Sequence, residues 1–196
     1  MKKIMMTLAA VCVAATMNAQ VWVGGELGFS TKHVNGSEDN SKKFAIAPEI
    51  GYNLDDNFSV AIKLGYSYTS DYMVNDNAVV AGVAIPVSVN AGNANTWFVN
   101  PYVRYAFVKA GNFSAFVDGG LNYATTHIQG ADNNINSFGV GINPGIAYNV
   151  SDKLTLAAHF GKGLYWEHNW VKDSYRTNEL GLELLNGVSF SAYYNF

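Results

Sequence analysis

Apolar side chains alternate with small or polar ones along most of the chain after Gln20. Alternation with a period of two indicates β-strands, because successive side chains of a strand point to opposite faces of a sheet. The pattern predicts an all-β chain with eight strands, each long enough to cross a bilayer core at a tilt. The predicted strand segments are VWVGGELGFS, FAIAPEIGYNL, FSVAIKLGYSY, WFVNPYVRYAF, FSAFVDGGLNY, FGVGINPGIAYNV, LTLAAHFGKGLYW and GVSFSAYYNF.

The connections between these segments alternate in length. Short polar turns lie at 55–57, 110–112 and 151–153. Long connections lie at 31–43, 69–96, 125–137 and 165–178. This alternation is typical of an antiparallel up-and-down transmembrane β-barrel with short periplasmic turns and long extracellular loops. Pairing of the first strand with the last would close the barrel, remove both sheet edges and place both termini in the periplasm.

The two faces of the strands differ in side-chain size. One face carries large apolar residues with aromatic residues near both ends, and the other carries small residues and isolated charges. A soluble sandwich or lipocalin-type barrel would turn the apolar face inward, whereas a membrane barrel turns it toward lipid. We predict the membrane arrangement, with ordinary core aromatics of a soluble protein as the alternative. The two predicted aromatic belts are Tyr52, Phe58, Tyr105, Phe107, Phe113, Tyr148 and Phe196 at the short-turn rim, and Phe29, Phe44, Tyr66, Tyr68, Trp97 and Tyr123 at the long-loop rim.

Two further segments continue the alternation outside the eight strands. Counting residues 78–89 as a crossing would give nine strands and put the termini on opposite sides of the membrane. We therefore interpret this segment as a β-extension or a folded part of the second long loop. Leu180, Leu182 and Leu184 keep the phase of the last strand and predict that it projects above the membrane.

Three prolines interrupt otherwise regular strands. Pro48, Pro101 and Pro144 recur in the spelling P-x-[IV]-x-Y, and each copy begins a strand–turn–strand unit. Proline cannot donate a ladder hydrogen bond, and a one-residue bulge would break the apolar phase, which runs unbroken across all three sites. We predict local gaps in the ladders without a register shift.

The N-terminus and the composition limit location and partners. Residues 1–19 read as a secretory signal peptide, with a basic start, an apolar core and a small-residue cleavage site after Ala19. Acylation of Cys12 in a lipoprotein signal is the weaker alternative, and cleavage leaves a mature chain, residues 20–196, without cysteine. Charged residues form 14% of the chain and the net charge is −3, which gives no electrostatic case for nucleic acid.

The segments PEIGYNL, PYVRYAF, PGIAYNV and SFSAYYNF make the chain resemble a known family. It resembles the small eight-stranded form of the outer-membrane β-barrel domain family of Gram-negative bacteria, over nearly all of its mature length. The resemblance implies an outer-membrane location. It also implies that the last strand is the signal read by the barrel-assembly machinery, through Val188, Phe190, Ala192, Tyr194 and Phe196. No single activity is implied, because small barrels of this type serve different roles.

Six titratable side chains of the smaller face project to similar heights above the short-turn rim: Glu26, Glu49, Lys63, Arg104, Asp118 and His159. An unpaired charge in a low-dielectric lumen is costly, so the charges should pair. We expect Arg104 to bridge Glu49 or Asp118, and Lys63 to bridge Glu26 or Glu49. A salt-bridged structural plug is favoured, with a proton or ion path, or a catalytic carboxylate with His159, as alternatives.

The fourth long connection carries aromatic residues among charges. Trp166, His168, Trp170 and Tyr175 are candidates for recognition of an extracellular ligand, with a solvated loop as the alternative. The sequence predicts no metal site, cofactor, nucleotide loop or nucleophile elbow, and therefore no enzyme. A lipid hydrolase would need a His near a rim on the lipid side, but His159 is predicted to point inward.

The predicted function is a non-enzymatic outer-membrane barrel that is structural or binds at the cell surface, in an adhesin-like way, through its extracellular loops. The alternative is a narrow pore for small solutes or ions. The expected partners are outer-membrane lipid, the barrel-assembly machinery during biogenesis and an unidentified extracellular ligand, without nucleic acid.

Overall fold

A computed structural model describes residues 20–33, 40–70, 73–80, 83–90, 92–172, 176–184 and 188–196. The predicted signal peptide, including Cys12, and the candidate Tyr175 lie outside these residues. The strands are β1 Val21–His33, β2 Asn40–Asn53, β3 Phe58–Ser70, β4 Met73–Val80, β5 Val83–Asn90, β6 Ala94–Ala110, β7 Phe113–Ile128, β8 Ile135–Asn149, β9 Leu154–Phe160, β10 Gly163–Val171, β11 Arg176–Glu183 and β12 Val188–Asn195. No helix among the described residues is long and apolar enough to span a membrane.

The strands close into an antiparallel barrel of eight crossings, as the sequence predicts. Around the barrel, β1, β2, β3, β6, β7 and β8 pair in that order, β8 pairs with β9, β9 with β12, and β12 with β1. Strand β10 continues β9, and β11 precedes β12, so each of these pairs forms one crossing. The backbone of Phe196 donates to the Val21 carbonyl at 3.2 Å, which places both described ends at the short-turn rim.

The segment at 78–89 does not cross the barrel. Strands β4 and β5 pair only with each other among the described residues, in a separate two-stranded sheet inserted between β3 and β6. This confirms the interpretation of the segment as a folded part of the second long connection.

The strands extend farther from the short-turn rim than the sequence predicts. Strands β1 and β2 continue pairing as far as His33 and Asn40, and β10 and β11 continue as far as Trp170 and Arg176. The predicted loops at 31–43, 69–96, 125–137 and 165–178 are therefore wrong in their bounds. The alternation continues through these segments, but their polar and charged residues suggest loops when the sequence is read alone.

The proline prediction is confirmed at two sites and wrong at the third. The β2–β3 ladder lacks pairs at Ala47 and Pro48, and the β6–β7 ladder lacks pairs at Asn100 and Pro101, with the register unchanged on either side. Opposite Pro144 the register does shift, because β9 and β10 are separated by a bulge.

The bulge inserts two residues into the seventh crossing strand. Gly145 pairs with His159, whereas Ile142 pairs with Leu164, so two residues of β8 face four of the other strand. A two-residue insertion preserves the period of two, and the apolar phase therefore did not reveal it. The bulge needs Gly163, since its φ is 64° and a Cβ there would overlap the Ile142 carbonyl.

The large apolar face points outward, as predicted. Ile62, Val103 and Ile146 are 40%, 44% and 45% exposed, whereas Glu49 on the opposite face is 5% exposed. Rings of the belts also contact one another between strands: Phe58 stacks on Tyr105 with centroids 4.6 Å apart. An apolar outer wall of this kind is stable only in lipid.

The prediction of small residues and isolated charges on the inner face is incomplete, because six large aromatic residues among the described ones also point into the barrel. Each lies opposite a glycine of a neighbouring strand: Trp22 with Gly51, Phe98 with Gly65, Tyr102 with Gly120, Phe116 with Gly145, Tyr165 with Gly181 and Tyr193 with Gly24. A Cβ at any of these glycines would overlap the facing aromatic side chain. The inner glycines thus provide the space in which the aromatic rings lie.

The first short turn has a local anchor outside the membrane. The backbone N–H groups of Asn57 and Phe58 donate to Asp55 Oδ1 at 2.7 and 2.8 Å. Because these bonds favour the carboxylate, they hold the pKa of Asp55 below its usual range. The turn is therefore fixed by its own side chain, as Asx turns are.

Candidate functional site

The inner surface of the barrel contains a compact ion cluster around Arg104. Arg104 lies opposite Asp118 in the β6–β7 ladder, and its Nε and Nη2 donate to Asp118 Oδ1 and Oδ2, both at 2.7 Å. Such a two-point pair is a strong form of charge-assisted hydrogen bond. His159 Nε2 lies 3.2 Å from Arg104 Nη2 and 3.1 Å from Asp118 Oδ2. Its tautomer decides whether it accepts from the guanidinium or donates to the carboxylate.

Aromatic rings surround this guanidinium. The Arg104 Cζ atom lies 4.0 Å from the ring centroid of Phe116 and 5.0 Å from that of Tyr193. Arg104 Nη2 also donates to the Tyr193 hydroxyl at 3.2 Å. Ring faces attract a cation, so these rings hold the guanidinium in place.

A second ion cluster lies next to the first. Lys63 Nζ donates to Glu26 Oε2 at 2.6 Å and lies 4.0 Å from Glu49 Oε2. The Tyr102 hydroxyl donates to the same Glu49 oxygen at 2.7 Å. The Tyr102 ring centroid is 5.6 Å from Arg104 Cζ, so this ring links the two clusters. All six residues of the predicted layer therefore lie in one network. Arg104 pairs with Asp118 and Lys63 with Glu26, in each case one of the two partners that the sequence predicts.

Two cavities lie on either side of this network. One, of about 680 Å³, opens toward the short-turn rim and is lined by Arg104, Phe116 and Tyr193 among others. The other, of about 340 Å³, opens toward the long-loop rim and is lined by Asp118 and His159 among others. The lumen therefore contains open space on both sides of the network. The Arg104–Asp118 pair separates the two cavities, since its cation lines one and its anion lines the other.

Most of the charges in the network are paired directly. Asp118 is matched by Arg104 in both oxygens, and His159 is 3% exposed. Two buried atoms of the network, Glu49 Oε1 and His159 Nδ1, have no hydrogen-bond partner among the described residues. Within the same residues, no group of three or more His, Cys, Asp or Glu side chains could hold a metal ion.

The candidate recognition residues lie on a strand and not in a loop. Trp166, His168 and Trp170 belong to β10, and alternation places all three on the outer wall. Glu167 points to the inner face, where it accepts hydrogen bonds from Ser137 at 2.5 Å and Lys162 at 3.1 Å. Glu167 and His168 therefore face opposite sides of the strand and cannot bind one metal ion together.

The predicted assembly signal lies on the last strand. Val188, Phe190, Ala192 and Tyr194 alternate on the outer face of β12, and Phe190 is 65% exposed. Phe196 follows the strand, and its ring meets that of Tyr194 at 5.2 Å. Recognition of these residues by the assembly machinery stays a prediction.

The exterior of the barrel is apolar and carries two aromatic belts, its interior is charged, and its turns are short at one rim. These features define a small transmembrane barrel of the bacterial outer membrane. A family model for the outer membrane protein beta-barrel domain matches residues 4–196. The chain belongs to this family and is located in the outer membrane.

Solved structures of outer-membrane proteins are similar to the chain. Neisserial surface protein A (NspA) is 17% identical with a TM-score of 0.50, over 90% of this chain and 97% of that one. Outer Membrane Protein W of E. coli is 13% identical with a TM-score of 0.44, over 90% and 97%. Ail of Yersinia pestis is 11% identical with a TM-score of 0.44, over 91% and 100%. The first likeness supports the fold alone. No curated protein matches the chain.

Proposed function

We propose that the protein is a non-enzymatic outer-membrane barrel that acts at the cell surface while its lumen is kept sealed. The observation that carries this proposal is the Arg104–Asp118 pair between the two cavities. A bidentate ion pair surrounded by aromatic rings is a barrier to ions, because passage would require its separation in a low dielectric.

The extracellular strand extensions support the surface role. Strands β10 and β11 stay paired from Gly163↔Glu183 to Trp170↔Arg176, so the ladder continues to the level of the outer aromatic belt. A ladder that stays paired up to the extracellular rim is suited to presenting a binding surface to an extracellular ligand.

A binding screen tests the surface role. The wild-type barrel and a variant in which residues 167–179 are replaced by a tight two-residue turn would be reconstituted in vesicles and applied to arrays of extracellular proteins and glycans. We expect wild-type vesicles to retain at least one ligand that the shortened variant loses. Heat-modifiable gel mobility equal to that of wild type would show that the shortened variant is folded. If such a folded variant retained every ligand, binding through this hairpin would be contradicted.

A narrow pore is the second candidate function, and the two cavities favour it. The cavities reach the Arg104–Asp118 pair from the two rims. If this ion pair separated, only a few side chains would still block the passage of ions through the lumen. A pore would require the pair to separate in the native protein.

Single-channel recording in planar bilayers distinguishes the two candidates. We expect the wild-type barrel to show no steady conductance. The charge-balanced double variant Arg104→Ser/Asp118→Ser should show small openings, because it removes the barrier without leaving an unpaired charge. Steady wild-type openings would favour the pore, whereas a silent double variant would mean that this pair is not the barrier.

A further inference from the structure

Three rings of β10 form a column on the outer wall of the barrel. The rings of Trp166 and His168 have centroids 6.3 Å apart and planes 13° apart, and His168 and Trp170 are separated by 5.5 Å and 24°. We call Trp166, His168 and Trp170 the ring column. Near-parallel planes at every second residue form a continuous row of rings along one strand.

The ring column lies at the extracellular interface of the membrane, on the side of the long loops. It contacts the aromatic rings of neighbouring strands, since Trp166 is 6.5 Å from Phe138 and Trp170 is 6.3 Å from Tyr123 between centroids. Phe138 lies ten residues before Tyr148 of the short-turn belt. That separation equals the nine to eleven residues with which a tilted strand crosses the hydrocarbon core. The upper end of the column is therefore at the level of the lipid headgroups.

The residues of β11 that pair with the ring column become more polar from the bottom of the column to its top. Trp166 pairs with Leu180, His168 with Asn178 and Trp170 with Arg176. The column thus begins beside an aliphatic side chain and ends beside a cation. His168 Nδ1 lies 2.8 Å from Asn178 Oδ1, and with that amide oxygen as acceptor, Nδ1 carries the proton and Nε2 is the remaining ring nitrogen.

The carboxylates of the barrel wall are confined to one of its two faces. Every carboxylate on the described barrel strands belongs to the inner face: Glu26, Glu49, Asp118, Glu167, Glu179 and Glu183. The outer face near the long-loop rim instead carries the cations Lys42 and Arg176 and the imidazoles of His127 and His168. No carboxylate of a described residue is within ion-pair distance of Arg176. The outer wall at headgroup height is complementary to an anion.

We propose that the ring column and Arg176 form a binding site for a phosphorylated saccharide headgroup of an outer-leaflet glycolipid. The apolar faces of the sugar rings would pack on Trp166 and Trp170, while Arg176 donates to a phosphate oxygen. The acyl chains would continue down the apolar wall, where Leu164 and Leu182 are 51% and 66% exposed. A soluble anion would not use this continuous path from headgroup to hydrocarbon.

The test compares two glycolipids and three matched variants. The mature chain would be placed in phosphatidylcholine nanodiscs containing a diphosphorylated disaccharide glycolipid or its dephosphorylated form, and bound glycolipid would be counted by native mass spectrometry. We expect wild type to prefer the phosphorylated form. Arg176→Ala should weaken binding of that form about tenfold, as loss of one charge-assisted hydrogen bond does, and abolish the preference.

Two further variants make the result specific to this site. Trp170→Leu should weaken binding of both glycolipids, because it removes ring surface and no charge. Lys42 is a cation on the same outer face, but it belongs to β2, and the variant Lys42→Ala should therefore leave binding unchanged. The proposal would be overturned if wild type bound the two glycolipids equally. It would also be overturned if Lys42→Ala and Arg176→Ala lost the same affinity, because the glycolipid would then be attracted only by a generally basic rim.

Discussion

Replacing Gly51 with leucine should lower the free energy of unfolding by about 3 kcal/mol, the upper range for overpacking a well-packed interior. A Cβ at Gly51 would overlap the indole of Trp22. That indole cannot move aside, because it is 4% exposed and meets the Tyr193 ring edge-on at 4.8 Å. Urea unfolding of the barrel in lipid vesicles, followed by heat-modifiable gel mobility, measures the change.

Gly119→Leu is the matched control. A Cβ at Gly119 meets no atom within 4 Å, and alternation directs it toward lipid. This variant should unfold at the wild-type urea concentration or above it. The double variant Gly51→Leu/Trp22→Ala should recover part of the loss, because it removes the ring that the leucine strikes. Equal stability of Gly51→Leu and Gly119→Leu would refute the role assigned to the glycine–aromatic pairs.

These pairs also show where sequence analysis stops. The outward face was predictable because lipid imposes one requirement at every second residue, from Val60 to Leu64 in β3 as elsewhere. The inner aromatics were missed because Trp22 and Gly51 are far apart in sequence and become neighbours only through the strand register. A search for large aromatics and glycines in matching inner phase on adjacent strands would have found them.

The charged layer was predictable for a related reason. Short turns fix the height of each residue, so counting from them places Arg104 and Asp118 at the same level on adjacent strands. The same counting could not place Trp166, His168 and Trp170. At the membrane interface the requirement for apolar side chains weakens, and a partly polar strand then resembles a loop in sequence although its backbone still pairs.

Arg104→Ala should be the most damaging single change within the charged layer. The substitution leaves Asp118 buried without its cation, and breaking a buried pair in this way costs about 3–5 kcal/mol. His159 offers only one nitrogen to this carboxylate, at 3.1 Å, in place of two guanidinium bonds. The midpoint of thermal unfolding in detergent micelles should therefore fall markedly.

The design that isolates the pair adds one double and one distant variant. Arg104→Leu/Asp118→Leu should be more stable than Arg104→Ala, because removal of both charges leaves nothing uncompensated, and apolar replacement of a buried pair is often neutral. Arg176→Ala, which removes an exposed arginine on the outer wall, should change stability by no more than about 0.5 kcal/mol. An Arg104→Ala barrel with the wild-type midpoint would mean that water already reaches Asp118. The lumen could then not be sealed at this layer, and the pore would become the better account of the protein.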